Sequence, residues 1–348
     1  MATTTDSLGV ATIPQFEFEE FDPATTFEDQ LLDFDLPGAI TSLNSFSYLE
    51  FAPANDEKEN ALHKTTIPAK ASSLAWTSLT PVAESRISYA IDQLKLAPRM
   101  MVNSGSTLWS HVALYDEYMP RILQDAYAAC ALYSSRNEAN ADLVDRHITN
   151  RIDELMAAPL PSAQLEIVAR AHALMLYQIM FVFGDIRSRN QAQDLILHLE
   201  EAGQSLHHLS SQQTDPIGSK LPVYPSTAAR AAWKTFQFQE TVRRTTLSLF
   251  QFLALCHLLC GRNESCAPSL ARGNEVTLSA HLWNAKSAFD FAVAWNEKSH
   301  FLVKDLDFSE VMRDAEPDDV DDFAKMMLVG LMGIDDVRGW FYMKGGTF

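Results

Sequence analysis

The sequence predicts an all-α protein, with a multi-helix domain that follows a disordered acidic N-terminal segment. Three observations predict this arrangement. Apolar residues recur every three or four positions through most of the chain after residue 84, the period of an amphipathic helix. We find no runs of alternating apolar and polar residues separated by turn signals, the pattern typical of strands. Residues 1–57 hold 12 of the 45 acidic residues and no Lys or Arg.

Composition limits the classes of function that the chain can serve. The chain has 348 residues, is 47% hydrophobic and carries a formal charge of -18, so it can bury a large core but repels nucleic-acid phosphates. It has four cysteines, too few for a disulfide framework at this length. We expect no secretory signal, because the N-terminus lacks a charged start followed by an apolar stretch. We expect no membrane span either, because the longest apolar run, residues 247–260, is interrupted by polar residues and predicts a buried helix.

The N-terminal segment alternates carboxylates with bulky apolar residues. Phe27, Leu31 and Phe34 would share one face of a helix that forms on binding, at spacing i, i+4 and i+7. This composition is typical of an amphipathic disordered activation segment, and the alternative is a solvated tail or a strand docked on the domain. The candidate anchors are Phe16, Phe18, Phe21, Phe27, Leu31, Leu32 and Phe34.

The helices follow one another after a polar linker at residues 58–84. Pro120 suits the start of a helix. The spacing of Val144, Ile148, Ile152 and Leu155 predicts the next one. Ser162 is expected to cap a helix that runs to Gly184 and is central in the core. Further helices are predicted over residues 187–209, over 226–260 as one helix or two, and over 278–295, 308–314 and 318–342.

Two clusters invite a metal interpretation. Cys256, His257 and Cys260 with nearby Cys266 resemble zinc ligands, but a fourth ligand is missing and cysteines in an apolar helix are more often core residues. The acidic run from Asp318 to Asp322 resembles the magnesium-diphosphate site of terpene cyclases. The alternative is that these carboxylates cap a helix start.

Motifs for the common enzyme chemistries are absent from the sequence. It has no G-x-S-x-G, no G-x-x-x-x-G-K, no dinucleotide fingerprint and no H-E-x-x-H. We therefore predict no catalytic residues, no cofactor and no metal site, and we expect that the chain is not an enzyme.

Several separated blocks resemble the regulatory region of fungal transcription factors of the zinc binuclear cluster class. They are residues 114–120 (LYDEYMP), 169–178 (ARAHALMLYQ), 184–187 (GDIR), 240–245 (ETVRRT) and 282–285 (LWNA), with Trp233 and Trp295. The resemblance covers residues 85–348. It implies an all-helical regulatory domain, nuclear action and control of gene sets that often serve secondary metabolism.

The sequence departs from that family where its members carry a six-cysteine DNA-binding module, since the first cysteine here is Cys130. We therefore expect no direct DNA contact. Either the protein acts through a DNA-bound partner or the gene model lacks an upstream exon.

Glu240, Arg243 and Arg244 lie at helical spacing i, i+3 and i+4. They predict an ion pair that anchors a helix, or else a site where an arginine binds a small acidic metabolite. The sequence analysis thus predicts a nuclear transcription regulator, an activator with its activation segment at residues 1–57. It would work through the transcription machinery or a DNA-bound regulator. A helical enzyme using Asp318–Asp322 and a non-catalytic scaffold are the alternatives.

Overall fold

The computed structural model describes residues 81–184, 189–212, 220–259 and 273–348. The acidic segment with Phe16 to Phe34 and two of the cysteines, Cys260 and Cys266, lie outside these residues. Where the structure describes the chain, the predicted all-α class is confirmed. The α-helices, in chain order, are α1 Pro81–Ser104, α2 Arg121–Ser134, α3 Ala141–Ala157, α4 Gln164–Phe183, α5 Arg189–Ser211, α6 Thr227–Leu259, α7 Ala280–Trp283, α8 Ala288–Glu297, α9 Ser309–Asp314, α10 Asp322–Met332 and α11 Ile334–Met343.

The first three helices follow their apolar periodicity. α1 begins at Pro81, inside the last four residues of the stretch assigned to the linker, and has Glu84 in its first turn. α2 begins directly after Pro120, as predicted. The predicted face of α3 is confirmed, since its buried residues are Val144, Ile148, Ile152 and Leu155.

α4 lies at the centre of the larger hydrophobic core, as predicted. Every residue from Val168 to Phe181 is buried, because neighbouring helices cover all sides of α4. The predicted cap is wrong: Ala163 takes the N-cap position and no side chain caps the helix. α4 is also long and apolar enough to cross a membrane, but 78% of that window is buried inside the fold. Such burial is expected of a core helix.

The region predicted as one helix over residues 278–295 instead contains the last residue of a strand, followed by two short helices. Strand β1, Glu275–Leu278, pairs antiparallel with β2, Phe301–Lys304, with Glu275 opposite Lys304. Each strand has only four residues, too few for an alternating pattern to show in the sequence. α7 and α8 lie between these two strands.

The predicted helix over residues 318–342 is divided into three pieces. A short 3-10 helix covers Pro317–Asp319, and α10 and α11 are separated by Gly333. Gly333 has φ 94°, a conformation that glycine adopts without the strain that a side chain would bring. α10 therefore ends at Met332, and α11 begins directly after Gly333.

α6 is one helix of 33 residues and connects two cores. It packs against α4 and α5 in the larger core and against α8 in a smaller one. The smaller core contains Phe236, Trp283 and Phe291. α6 therefore contributes residues to both cores.

Candidate functional site

The middle of α6 is buried although it is polar. Burial of polar groups costs free energy unless each one finds a partner, so this stretch requires a network of contacts. The buried polar residues of α6 in this stretch are Gln237, Gln239, Glu240, Thr241, Arg243, Arg244, Thr245, Thr246 and Ser248.

Glu240 and Arg244 form an ion pair that is completely buried. Arg244 Nε donates to Glu240 Oε1 at 3.0 Å, and both side chains are 0% exposed. The amide of Thr277 in β1 donates to both carboxylate oxygens of Glu240, at 3.1 Å each. Arg243 Nη1 lies 3.9 Å from Glu240 Oε2. Burial raises the pKa of the Glu240 carboxyl, and the two arginines oppose that rise.

The guanidinium of Arg244 also reaches three other elements. Its Nη1 donates to Asp321 Oδ2 at 2.6 Å, and its Nη2 donates to the Thr277 carbonyl at 3.2 Å. The guanidinium carbon lies 4.0 Å from the ring centre of Trp283 and 4.7 Å from that of Phe323. Such cation–π contacts strengthen when water is excluded. Arg244 thus joins α6 to β1, α7 and the start of α10.

A second part of the network surrounds His111, which precedes the 3-10 helix Val112–Tyr115. Its Nδ1 accepts from the Ala113 amide at 3.1 Å, so its Nε2 carries the proton and donates to the Trp283 carbonyl at 2.9 Å. The His111 amide lies 3.5 Å from Thr241 Oγ1. Burial lowers the pKa of His111 to about 4, because the charged imidazolium would lose its hydration.

A third part is a chain of hydrogen bonds that ends in α4. Thr245 Oγ1 donates to the Thr241 carbonyl at 2.6 Å, so it accepts from His172 Nε2 at 2.8 Å. His172 Nδ1 then accepts from the Tyr115 hydroxyl at 2.9 Å. Burial lowers the pKa of His172 to about 3 and raises that of Tyr115. The chain holds α4, α6 and the loop before α2 together.

Four of the blocks that resemble fungal regulators meet in this network, which we call the α6 polar network. Tyr115 belongs to the block at residues 114–120 and His172 to the block at 169–178. Glu240 to Thr245 form the third block, and Trp283 belongs to the fourth. Blocks that are far apart in sequence are therefore in contact in the fold, since Tyr115 and His172 are 57 positions apart and His172 and Thr245 are 73 apart.

The geometry supports the ion-pair interpretation of Glu240 and Arg244. Protein groups surround the Arg244 guanidinium on its edges and on its faces, and Arg243 is 7% exposed. The spacing of residues in the sequence predicts the partner Glu240, one turn away in the same helix. It does not predict Thr277, Asp321, Trp283 and Phe323, which are 33 to 79 residues distant and give no local signal.

The acidic run is built into the fold as caps and ion pairs. Asp321 is the N-cap of α10, where its side chain accepts from the Ala324 amide at 2.9 Å. Asp319 accepts from the Glu316 amide at 3.0 Å and lies 3.5 Å from His281 Nε2. These contacts favour the helix-start interpretation.

Metal ligands are not brought together in the described part of the chain. There, no group of three or more His, Cys, Asp or Glu side chains could hold a metal ion. Cys130 and Cys256 are buried free thiols, and burial raises the pKa of Cys130 to about 12. Cys256 is thus a core residue, as expected of a cysteine in an apolar helix.

The clefts on the described surface include two that Arg244 does not line. One has a volume of about 430 Å³, is basic, and is lined by Lys95, Leu96, Pro98, Arg99, Tyr133, Ser134, Arg136 and Gly184. The other has a volume of about 640 Å³, is acidic, and lies on α5 around His198 and Glu201.

Comparison with known proteins gives one informative similarity. The chain is 27% identical over 263 residues to a protein named "Transcription factor gsfR2" from Penicillium aethiopicum. The aligned part covers 74% of this chain and 62% of that relative, so the chain spans less than two thirds of the relative's length. No protein-family model matches the chain, and no solved structure matches it.

Proposed function

We propose that this protein is a fungal transcription regulator, an activator whose helical domain follows an acidic activation segment at residues 1–57. One observation carries the proposal: the chain is similar over 263 residues to a protein named as a transcription factor. The α6 polar network supports it, because this network unites the blocks on which the family resemblance rests. We assign residues 85–348 to the regulatory domain of the zinc binuclear cluster class.

The activator role rests on the chemistry of the N-terminal segment. Carboxylates keep Phe27, Leu31 and Phe34 in water until a groove on the transcription machinery offers them a site to bury. Burial of each of these side chains contributes about 1.5 to 3 kcal/mol, so three of them supply a useful affinity even after the cost of ordering the segment.

The route to DNA follows from charge. With a net charge of -18 the chain is repelled by phosphates, so we propose that a DNA-bound partner brings it to its genes. This route places the protein in the nucleus. Control of secondary-metabolism genes is the target that the family resemblance implies.

A terpene-cyclase type of enzyme would need the acidic run to face a metal and its substrate. Asp321 is instead engaged by Arg244 and Ala324, and Asp322 by Lys325 at 3.2 Å. A carboxylate held by a buried arginine is a poor metal ligand, because its charge is already compensated. These contacts favour the non-catalytic interpretation.

The proposal is tested by fusing the full chain, and separately residues 1–57, to an unrelated DNA-binding domain in front of a reporter gene. We expect both fusions to activate. Changing Phe27, Leu31 and Phe34 to Ala removes the activation, because the anchors are lost. The matched control changes Thr25, Thr26 and Gln30 to Ala in the same stretch and keeps the activity. A reporter that stays silent with both fusions would favour the scaffold alternative.

A further inference from the structure

The basic cleft is formed where three helices approach one another. Lys95, Leu96 and Arg99 come from α1, Tyr133 comes from the end of α2, and Gly184 follows α4. Gly184 is required here, because a Cβ at this position would lie 2.6 Å from the Tyr133 hydroxyl oxygen and 2.2 Å from the Met180 carbonyl oxygen. The rim of the cleft is therefore fixed by close packing.

Charge distinguishes this cleft from the rest of the protein. Lys95 and Arg99 are exposed one helical turn apart, and Arg136 is the third cation in the lining. Asp145 holds Arg136 through two hydrogen bonds of 2.7 and 2.9 Å, which orients its guanidinium and compensates its charge. Among the residues that the structure describes, no acidic side chain lines the cleft. Two exposed cations thus lie side by side on a chain of charge -18.

The cleft also presents apolar surface beside its cations. Leu96 is 44% exposed in the lining, and Pro98 and the Tyr133 ring line the cleft with it. The Lys95 ammonium lies 5.6 Å from the ring centre of Phe183, so this lining cation already contacts an aromatic ring. Its occupant should combine carboxylates with large apolar side chains.

We propose that the cleft is the docking site of the acidic-aromatic segment of the same chain, residues 16–36. This segment has eight carboxylates and no Lys or Arg, and it interleaves them with the apolar anchors Phe16, Phe18, Phe21, Phe27, Leu31, Leu32 and Phe34. Its charge is opposite to that of Lys95 and Arg99, and its apolar anchors match the exposed Leu96. The two surfaces are complementary in both respects.

The chain is long enough to make this contact. Residues 37–80 separate the segment from Pro81, and 44 residues can span up to about 150 Å. Lys95 lies 14 residues along α1, or about 21 Å from its start. Tethering at such distances gives effective concentrations on the order of millimolar, so a weak intrinsic affinity suffices to keep the cleft occupied.

The docked segment would hide its anchors from the transcription machinery. This consequence rests on the proposed function: the segment would be withdrawn while it occupies the cleft and active when a partner displaces it. The docking itself is independent of that function. It is measured on the purified protein, so failure of the docking and failure of activation are distinguishable.

The experiment treats the purified full chain with a zero-length carbodiimide, which joins a carboxylate to a lysine amine in direct contact, and maps the links by mass spectrometry. We expect links from residues 17–35 to Lys95 at least about fivefold more often than to the exposed Lys286 or Lys298. Arg99→Glu lowers the Lys95 links about threefold to tenfold, since one attraction becomes a repulsion. Arg230→Glu, the same charge change at an exposed position on α6, leaves them unchanged.

With the unchanged sequence, two results would overturn the proposal. One is an even distribution of links over Lys95, Lys286 and Lys298, which would mean that the segment has no preferred site. The other is a set of links that join two different chains, which a mixture of isotope-labelled and unlabelled chains would reveal. Such links would mean that the cleft binds the segment of a second copy. Circular dichroism shows whether Arg99→Glu keeps its helices. If that variant is folded and its Lys95 links are as frequent as in the unchanged chain, the proposal is also contradicted.

Discussion

Arg244→Met removes the charge at the centre of the α6 polar network while keeping most of the side-chain volume. The variant leaves the carboxylate of Glu240, 0% exposed, without its main cation, and it leaves Asp321 without the 2.6 Å contact. Breaking a buried pair by removing one partner costs about 3 to 5 kcal/mol. For a domain of this size, the melting temperature falls by about 2 to 4 °C per kcal/mol, so we expect a drop of about 6 to 20 °C.

A second change separates this electrostatic cost from a loss of packing. Glu240→Gln keeps an oxygen that accepts from Thr277 and Arg244, but it removes the buried negative charge. Arg244→Met should therefore cost less in the Glu240→Gln background than in the wild-type protein. We expect a coupling of at least about 1 kcal/mol in this double-mutant cycle.

Urea denaturation followed by circular dichroism measures the four free energies of unfolding. Arg230→Met, an exposed substitution on the same helix, serves as the matched control and should change stability by less than about 0.5 kcal/mol. If the costs of Arg244→Met and Glu240→Gln simply add, the two side chains do not stabilise each other. The description of the network as a unit would then be refuted.

Two further predictions concern pH and packing. The pKa values of His111 and His172 are lowered by burial, so below about pH 6.5 the unfolded chain takes up protons that the folded chain does not. As the pH falls from about 6.5 to 4, each histidine therefore lowers the free energy of unfolding by about 1.4 kcal/mol per pH unit, and His172→Gln removes one of these contributions. Urea titrations at pH 6.5, 5.5 and 4.5 measure this dependence. If the free energy of unfolding falls with pH equally in the wild-type protein and in His172→Gln, the reasoning is wrong. Gly184→Ala costs about 1 to 3 kcal/mol because its Cβ would overlap the Met180 carbonyl and the Tyr133 ring, whereas Gly339→Ala, in a helix with open space around it, stabilises by up to about 1 kcal/mol. Thermal melts compare the two, and equal shifts would contradict the packing argument.

Local periodicity was enough to predict the long helices. The face of α3 from Val144 to Leu155 and the fully apolar stretch of α4 follow directly from residues three and four apart. β1, β2 and the break at Gly333 were missed, because four-residue strands carry no alternation and a single glycine inside a helical pattern does not reveal its φ angle.

The candidate site was predictable only within one helix. Glu240 and Arg244 are one turn apart, and this spacing predicts their contact. Asp321 was read as part of a helix start, and it is the N-cap of α10, but its bond to Arg244 joins residues 77 positions apart. His111 gave no signal, and His172 appeared only as part of the block at residues 169–178, because the partners of both are set by how α4, α6 and the loop before α2 pack.

Transcript abundance in the source organism after removal of this protein tests the central claim most directly. We predict that a set of transcripts falls and that the wild-type chain restores it, while the variant with Phe27, Leu31 and Phe34 changed to Ala is present at equal level and does not. Transcripts that do not respond to loss of the protein would contradict its assignment as a transcription regulator.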